Sequence, residues 1–98
     1  MFYTYILKGS KSSIFYYGST GDLRKRLREH NTGVSLFTKP HIPWELVWYC
    51  GFPTMKQAED FELYLKSGSG KAFAYKRLVA LAKDGLRRAK IIKEVSEV

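Results

Sequence analysis

The most restrictive feature of the chain is a single change of side-chain period near its start. FYTYIL and, a few residues later, IFYYG alternate faces and are rich in β-branched and aromatic residues. They are expected to form strands from Phe2 to Lys8 and from Ile14 to Gly18. The turn cluster GSKSS between them makes an antiparallel hairpin the natural pairing. From Leu23 the spacing becomes helical. Ser19, Thr20 and Asp22 offer N-caps for a helix from about Leu23 to Asn31, and Thr32 and Gly33 end it.

The same reading carries on down the chain. Val34 to Pro43 reads as a loop, and WELVWYCGF (Trp44 to Phe52) as a third strand apolar enough to lie inside a sheet. Thr54 is positioned to cap a helix that runs to about Lys66. SGSG (Ser67 to Gly70) reads as a loop before a third helix, roughly Lys71 to Lys83, stopped at Asp84-Gly85. In the tail, Leu86, Ala89, Ile92 and Val95 fall at helical spacing, which suits a short docked helix or a frayed end. The order strand, strand, helix, strand, helix, helix predicts an α+β fold: a small three-stranded antiparallel sheet flanked by helices.

With 98 residues, 45% hydrophobic and 15% aromatic, the chain suits one compact domain with a real core. Residues 1–85 would make up that domain, and 86–98 a tail rather than a second one. The lone Cys50 excludes an internal disulfide and a cysteine zinc site, which fits a reducing cytoplasm. MFYTYILKG has neither a basic leader nor a long apolar run, so no signal peptide and no membrane segment are expected. Lys and Arg total 17 against 9 acidic residues, a net charge of +8. That favours polyanionic partners, nucleic acid ahead of an anionic membrane surface.

At 100° per residue from Leu23, Leu27 falls close by on one side, and Arg26 and His30 close by on the other. Arg24, Lys25, Arg28 and Glu29 point away. An arginine beside a packing face needs an anion or many acceptors. Two readings stand level: an internal ion pair with a satisfied core histidine, or a cleft in which Arg26 awaits a phosphate and His30 binds it or moves a proton. Arg24, Lys25 and Arg28 form an ordinary solvated face that can also follow a nucleic-acid backbone.

On the second helix Ala58, Phe61 and Leu65 make the apolar stripe, with Tyr64 on one edge and Glu62 on the other. Glu62 and Lys66 form an i,i+4 pair, ordinarily worth about 0.3–0.5 kcal/mol. Alternatively Glu62 is a single carboxylate for Mg²⁺, a cation that commonly takes one or two protein carboxylates plus waters and a substrate phosphate. In the hairpin, Tyr3, Tyr5 and Leu7 share a face, as do Ile14, Tyr16 and Gly18. Tyr5 and Tyr16 can lie side by side, either as plain packing or with hydroxyls aimed into a polar cleft near Arg26 and His30. Gly18 would let the chain pass close to a bound backbone.

Taken in order, these pieces resemble the GIY-YIG nuclease superfamily, and most closely its small single-domain bacterial members. The first signature triplet stands here as Tyr3-Thr4-Tyr5, the second as Tyr16-Tyr17-Gly18. The leucine, arginine and histidine that follow match Leu23, Arg26 and His30, and the metal-binding glutamate matches Glu62. The first triplet lacks its glycine and isoleucine, and the second has tyrosine at its centre. The resemblance implies a metal-dependent DNA endonuclease, structure-selective in repair or recombination, with RNA left open as a substrate. Tyr5, Tyr16, Arg26, His30 and Glu62 would be catalytic. Gly18, Arg24, Lys25, Arg28 and Lys66 would contact nucleic acid. Glu62 would hold Mg²⁺ or Mn²⁺, with the base left open between Tyr5 and His30. The alternative is a nucleic-acid-binding module without catalysis; an adaptor that docks through its apolar tail ranks last.

Overall fold

A computed structural model describes residues 1–11 and 14–79. The expected stop at Asp84-Gly85 and the tail from Leu86 lie outside the described residues.

The chain runs β1 (Phe2–Gly9), β2 (Phe15–Thr20), α1 (Leu23–Thr32), a 3₁₀ turn (Lys39–His41), β3 (Trp44–Phe52), α2 (Met55–Lys66) and α3 (Gly68–Phe73), with a π-helical segment at Ala74–Val79. The sheet is antiparallel with strand order β2-β1-β3, so the first strand is central. The α+β arrangement is the one the sequence implies.

Both faces of this sheet are covered. Tyr5 and Leu7 of β1 pack with Leu23 of α1 and with Trp44 and Leu46 of β3. Ile6 faces the other way, into a second cluster with Val47, Leu65, Ala74 and Val79. Burial on both sides explains why residues 4–7 are all buried although the strand alternates. A register irregularity between β1 and β3 at Ile6/Leu7 takes up one extra residue of β3, the signature of a bulge.

The helix ends follow local chemistry. Asp22 caps α1 by accepting from Lys25 N at 3.0 Å, whereas Ser19 and Thr20, also offered as caps, finish β2 instead. Gly33 ends α1 with φ 84°, a left-handed conformation that suits glycine. Thr54 caps α2 by accepting from Gln57 N at 3.2 Å. Thr4 Oγ1 donates to Ala58 O at 2.7 Å and pins α2 to the central strand, one turn before Glu62.

The SGSG stretch is not a loop. Ser67 accepts from Gly70 N at 3.2 Å, and the third helix begins at Gly68 rather than Lys71. A methyl group at Gly70 would lie 1.6 Å from Tyr64 O, so the close approach of two helix ends demands glycine there. Gly70→Ala is expected to cost at least about 2 kcal/mol in urea unfolding, since the clash is with backbone that cannot rotate away.

Candidate active site

Tyr5 leaves the central strand toward α1 and sits opposite Gly18 of β2. A Cβ at Gly18 would come within 2.5 Å of the Tyr5 hydroxyl. The missing side chain therefore makes room for the tyrosine ring, where the sequence had suggested room for a bound backbone. Tyr16 pairs with Leu7, so the two phenols are diagonal neighbours with centroids 6.3 Å apart, not directly opposed.

His30, on the inner face of α1, touches both rings; its centroid lies 4.8 Å from that of Tyr16. Its Nε2 is 2.9 Å from the Tyr5 hydroxyl and its Nδ1 is 2.9 Å from Thr38 Oγ1. Thr38 is held in turn by Trp44 Nε1, which donates to its carbonyl at 2.8 Å. Tyr5 and His30 are 1% and 0% exposed.

Arg26 marks the way to the surface. Its guanidinium donates to Glu29 at 3.0 Å and lies near enough to Tyr5 for its charge to act on the phenol, while 29% of the side chain stays accessible. Glu29 was expected to face away, but three residues along a helix is within reach of an arginine fork. Burial opposes the Arg26 charge, yet its bond to Glu29 and the neighbouring Tyr5 and Tyr16 raise its pKa overall.

The electrostatics keep both partners beneath it neutral. Burial, helped by Arg26 and opposed by Glu29, brings His30 down to about 4. Burial raises the Tyr5 phenol, with Tyr16 and Glu62 adding to the rise and Arg26 pulling the other way.

The His30 shift has a consequence for stability. The unfolded chain takes up the imidazole proton near 6.5 and the folded chain only near 4. Between those values the unfolded state binds more protons, so stability rises with pH. The contribution is whole above 6.5, and about 3 kcal/mol of it is lost by pH 4. Urea unfolding across that interval is expected to show this slope in the wild type, and His30→Gln is expected to remove it.

Glu62 comes to the same end of the sheet from the opposite face. Ser19 Oγ, one residue after Gly18, donates to its carboxylate at 2.6 Å, and the Lys66 ammonium holds the other oxygen. Its field reaches Tyr5. The acid side chain is 18% exposed. Tyr5, Tyr16, Arg26 and His30 thus form one cluster, with Glu62 joined to it through Ser19 and Gly18. Lys66 lies on Glu62. Lys25 and Arg28 are exposed on the outer side of α1 and Arg24 is half-buried, apart from this cluster.

Thr38, Ser19 and Glu29 escaped the sequence reading. Thr38 lies in an aperiodic stretch, Ser19 looks like a helix cap, and only the arginine spacing of Glu29 gave any signal.

Among the described residues no group of three or more His, Cys, Asp or Glu gathers around a metal position. The donor set is instead a single, largely buried carboxylate beside a hydroxyl, already holding an ammonium cation. That chemistry suits a hard, largely hydrated divalent ion.

The family profile described as the GIY-YIG catalytic domain matches residues 1–76. The chain belongs to that family. This places it among nuclease-type hydrolases, and the match spans every site residue named above. A UPF0213 protein of Clostridium perfringens is 37% identical over 67 residues, 67% of this chain and 71% of that protein. The UPF0213 protein YazA of Bacillus subtilis is 33% identical over 95 residues, covering 96% of this chain and 92% of its own length. A solution structure of a UPF0213 protein from Bacillus halodurans is 29% identical, with a TM-score of 0.47 over 78% of this chain and 84% of that one. No helix among the described residues of this GIY-YIG domain is long and apolar enough to cross a membrane.

Proposed function

We propose that this GIY-YIG domain is a divalent-metal-dependent DNA endonuclease that hydrolyses phosphodiester bonds, selective for nucleic-acid structure as repair or recombination requires. The observation that carries the reading is the Tyr5–His30 hydrogen bond under the charge of Arg26, beside a carboxylate whose ammonium partner a metal could replace.

His30 is neutral, and its Nε2 lies 2.9 Å from the Tyr5 hydroxyl, where it can accept the phenolic proton. At rest that proton stays on Tyr5, because the phenol is shifted up and the imidazole down. Tyr5 therefore acts as a base only in concert: it takes a proton from the attacking water while its own passes to Nε2. A phosphate bound at Arg26 offsets the positive charge that depresses His30 and makes the imidazole a better acceptor. It also draws the guanidinium outward, which opens the buried Tyr5 to water. Tyr16 keeps Arg26 and the His30 ring in place.

Glu62 would hold the Mg²⁺ or Mn²⁺, with Ser19 orienting the carboxylate; when bound, the ion supplies charge to the leaving 3′ oxygen. Lys66, released from Glu62, is free to meet a backbone phosphate, and Arg24, Lys25 and Arg28 extend that contact along the strand. Gly18 serves by seating Tyr5.

Cleavage of nicked, flapped, branched and plain duplex DNA, with an RNA control, is expected to need added Mg²⁺ or Mn²⁺. Absence of cleavage on every substrate would sink the catalytic reading. The burial of Tyr5 and His30 favours a second one, a non-catalytic nucleic-acid-binding module. It predicts salt-sensitive binding that is indifferent to Mg²⁺ and to Glu62.

A further inference from the structure

Thr38 is fully buried, on the far side of His30 from Tyr5, at the end of a loop with exposed Leu36 and Phe37. A buried hydroxyl must place its one proton and offer its lone pairs somewhere definite. The surrounding bonds have a single consistent direction. Thr38 Oγ1 gives its proton to the Ser35 carbonyl, so it accepts from His30 Nδ1–H. Nδ1 then carries the hydrogen, and Nε2 keeps the lone pair that accepts the Tyr5 O–H at 2.9 Å. Nδ1–H donates to Thr38 Oγ1 at 2.9 Å, and Thr38 sends its own proton to Ser35 O at 3.4 Å. The threonine is fixed in turn: Trp44 Nε1 grips its carbonyl, and Lys39 N bonds Ser35 O at 3.0 Å.

We infer that Thr38 is a positioning residue: its hydroxyl, oriented by the Ser35 carbonyl, selects the Nδ1–H tautomer of His30 and so makes Nε2 the acceptor for the Tyr5 proton. The inference rests on the proposed role of Tyr5 as the group that passes a proton to His30. With Thr38→Val the Nδ1–H loses its acceptor. The ring then favours the Nε2–H form, which donates to the Tyr5 oxygen and reverses the bond on which proton transfer depends.

The test combines a spectroscopic and a kinetic readout. Imidazole ¹⁵N chemical shifts of His30 are expected to report Nδ1–H in the wild type, Nε2–H in Thr38→Val, and Nδ1–H again in Thr38→Ser. Single-turnover cleavage is expected to fall about 10- to 100-fold in Thr38→Val with KM for DNA unchanged, and to return to within about threefold in Thr38→Ser. A wild-type spectrum showing Nε2–H overturns the inference. So does a Thr38→Val protein that keeps both the Nδ1–H form and the wild-type rate. Should the valine variant fail to fold, the wild-type and Thr38→Ser spectra still decide, because a serine variant that folds but loses Nδ1–H also overturns it. If the wild type cuts no DNA, the nuclease reading fails by itself, and the tautomer spectra alone decide whether Thr38 orients His30.

Discussion

Glu62→Gln is expected to reduce metal-dependent cleavage by about a thousandfold while leaving the fold and metal-free DNA binding intact. Glutamine has the same size, and its amide oxygen can still accept from Ser19 Oγ. What it loses is the charge that attracts a divalent cation. The vanished pair with Lys66 is partly exposed and costs at most about 0.5 kcal/mol. Three measurements separate the outcomes: turnover on branched DNA with Mg²⁺, binding to the same DNA in EDTA, and Mn²⁺ binding to the protein with uncleaved DNA present. A Glu62→Gln protein that cuts as well as wild type assigns the activity to a contaminant or the metal to other residues. Lost turnover with undiminished binding in EDTA counts against the purely binding module.

Tyr5→Phe is expected to slow the chemical step by about 10²- to 10⁴-fold, the range of a lost general base, with KM for DNA little changed. It removes one oxygen from the core and leaves His30 Nε2 without its donor, at about 1–3 kcal/mol of stability. Unfolding must be followed alongside the rate, so that a lower folded fraction is not mistaken for lost chemistry. The pH profile gives a sharper test. In the free protein His30 loses its proton near 4, so the acid limb of kcat/KM should lie there and not near the ordinary histidine value. Bound phosphate offsets Arg26, so the acid limb of kcat should lie higher than that of kcat/KM. Coincident limbs would argue against Arg26 as the phosphate contact.

The sheet and its flanking helices were legible because their signals are local. Strand alternation in FYTYIL, the Asp22 and Thr54 caps, and the Gly33 terminator each follow from neighbouring residues. The placement of Arg26 and His30 beside the leucines was legible for the same reason, through helical periodicity. What escaped depends on distant contacts. Ser67 to Gly70 looks like a linker until Tyr64 O is seen against Gly70. Thr38 has no pattern around it, and its role arises from His30 and Trp44, which lie on two separate elements. The missing side chain of Gly18 is plain in the sequence, but only its pairing with Tyr5 and the closeness of that ring show what fills the space.

The central strand sends neighbouring residues in opposite directions. Thr4 anchors the helix that carries Glu62, and Tyr5 meets the helix that carries Arg26 and His30. A nascent or partly melted chain with only one helix docked holds half of the constellation. Assembly itself therefore acts as an interlock: the full set of side chains and complete folding arrive together.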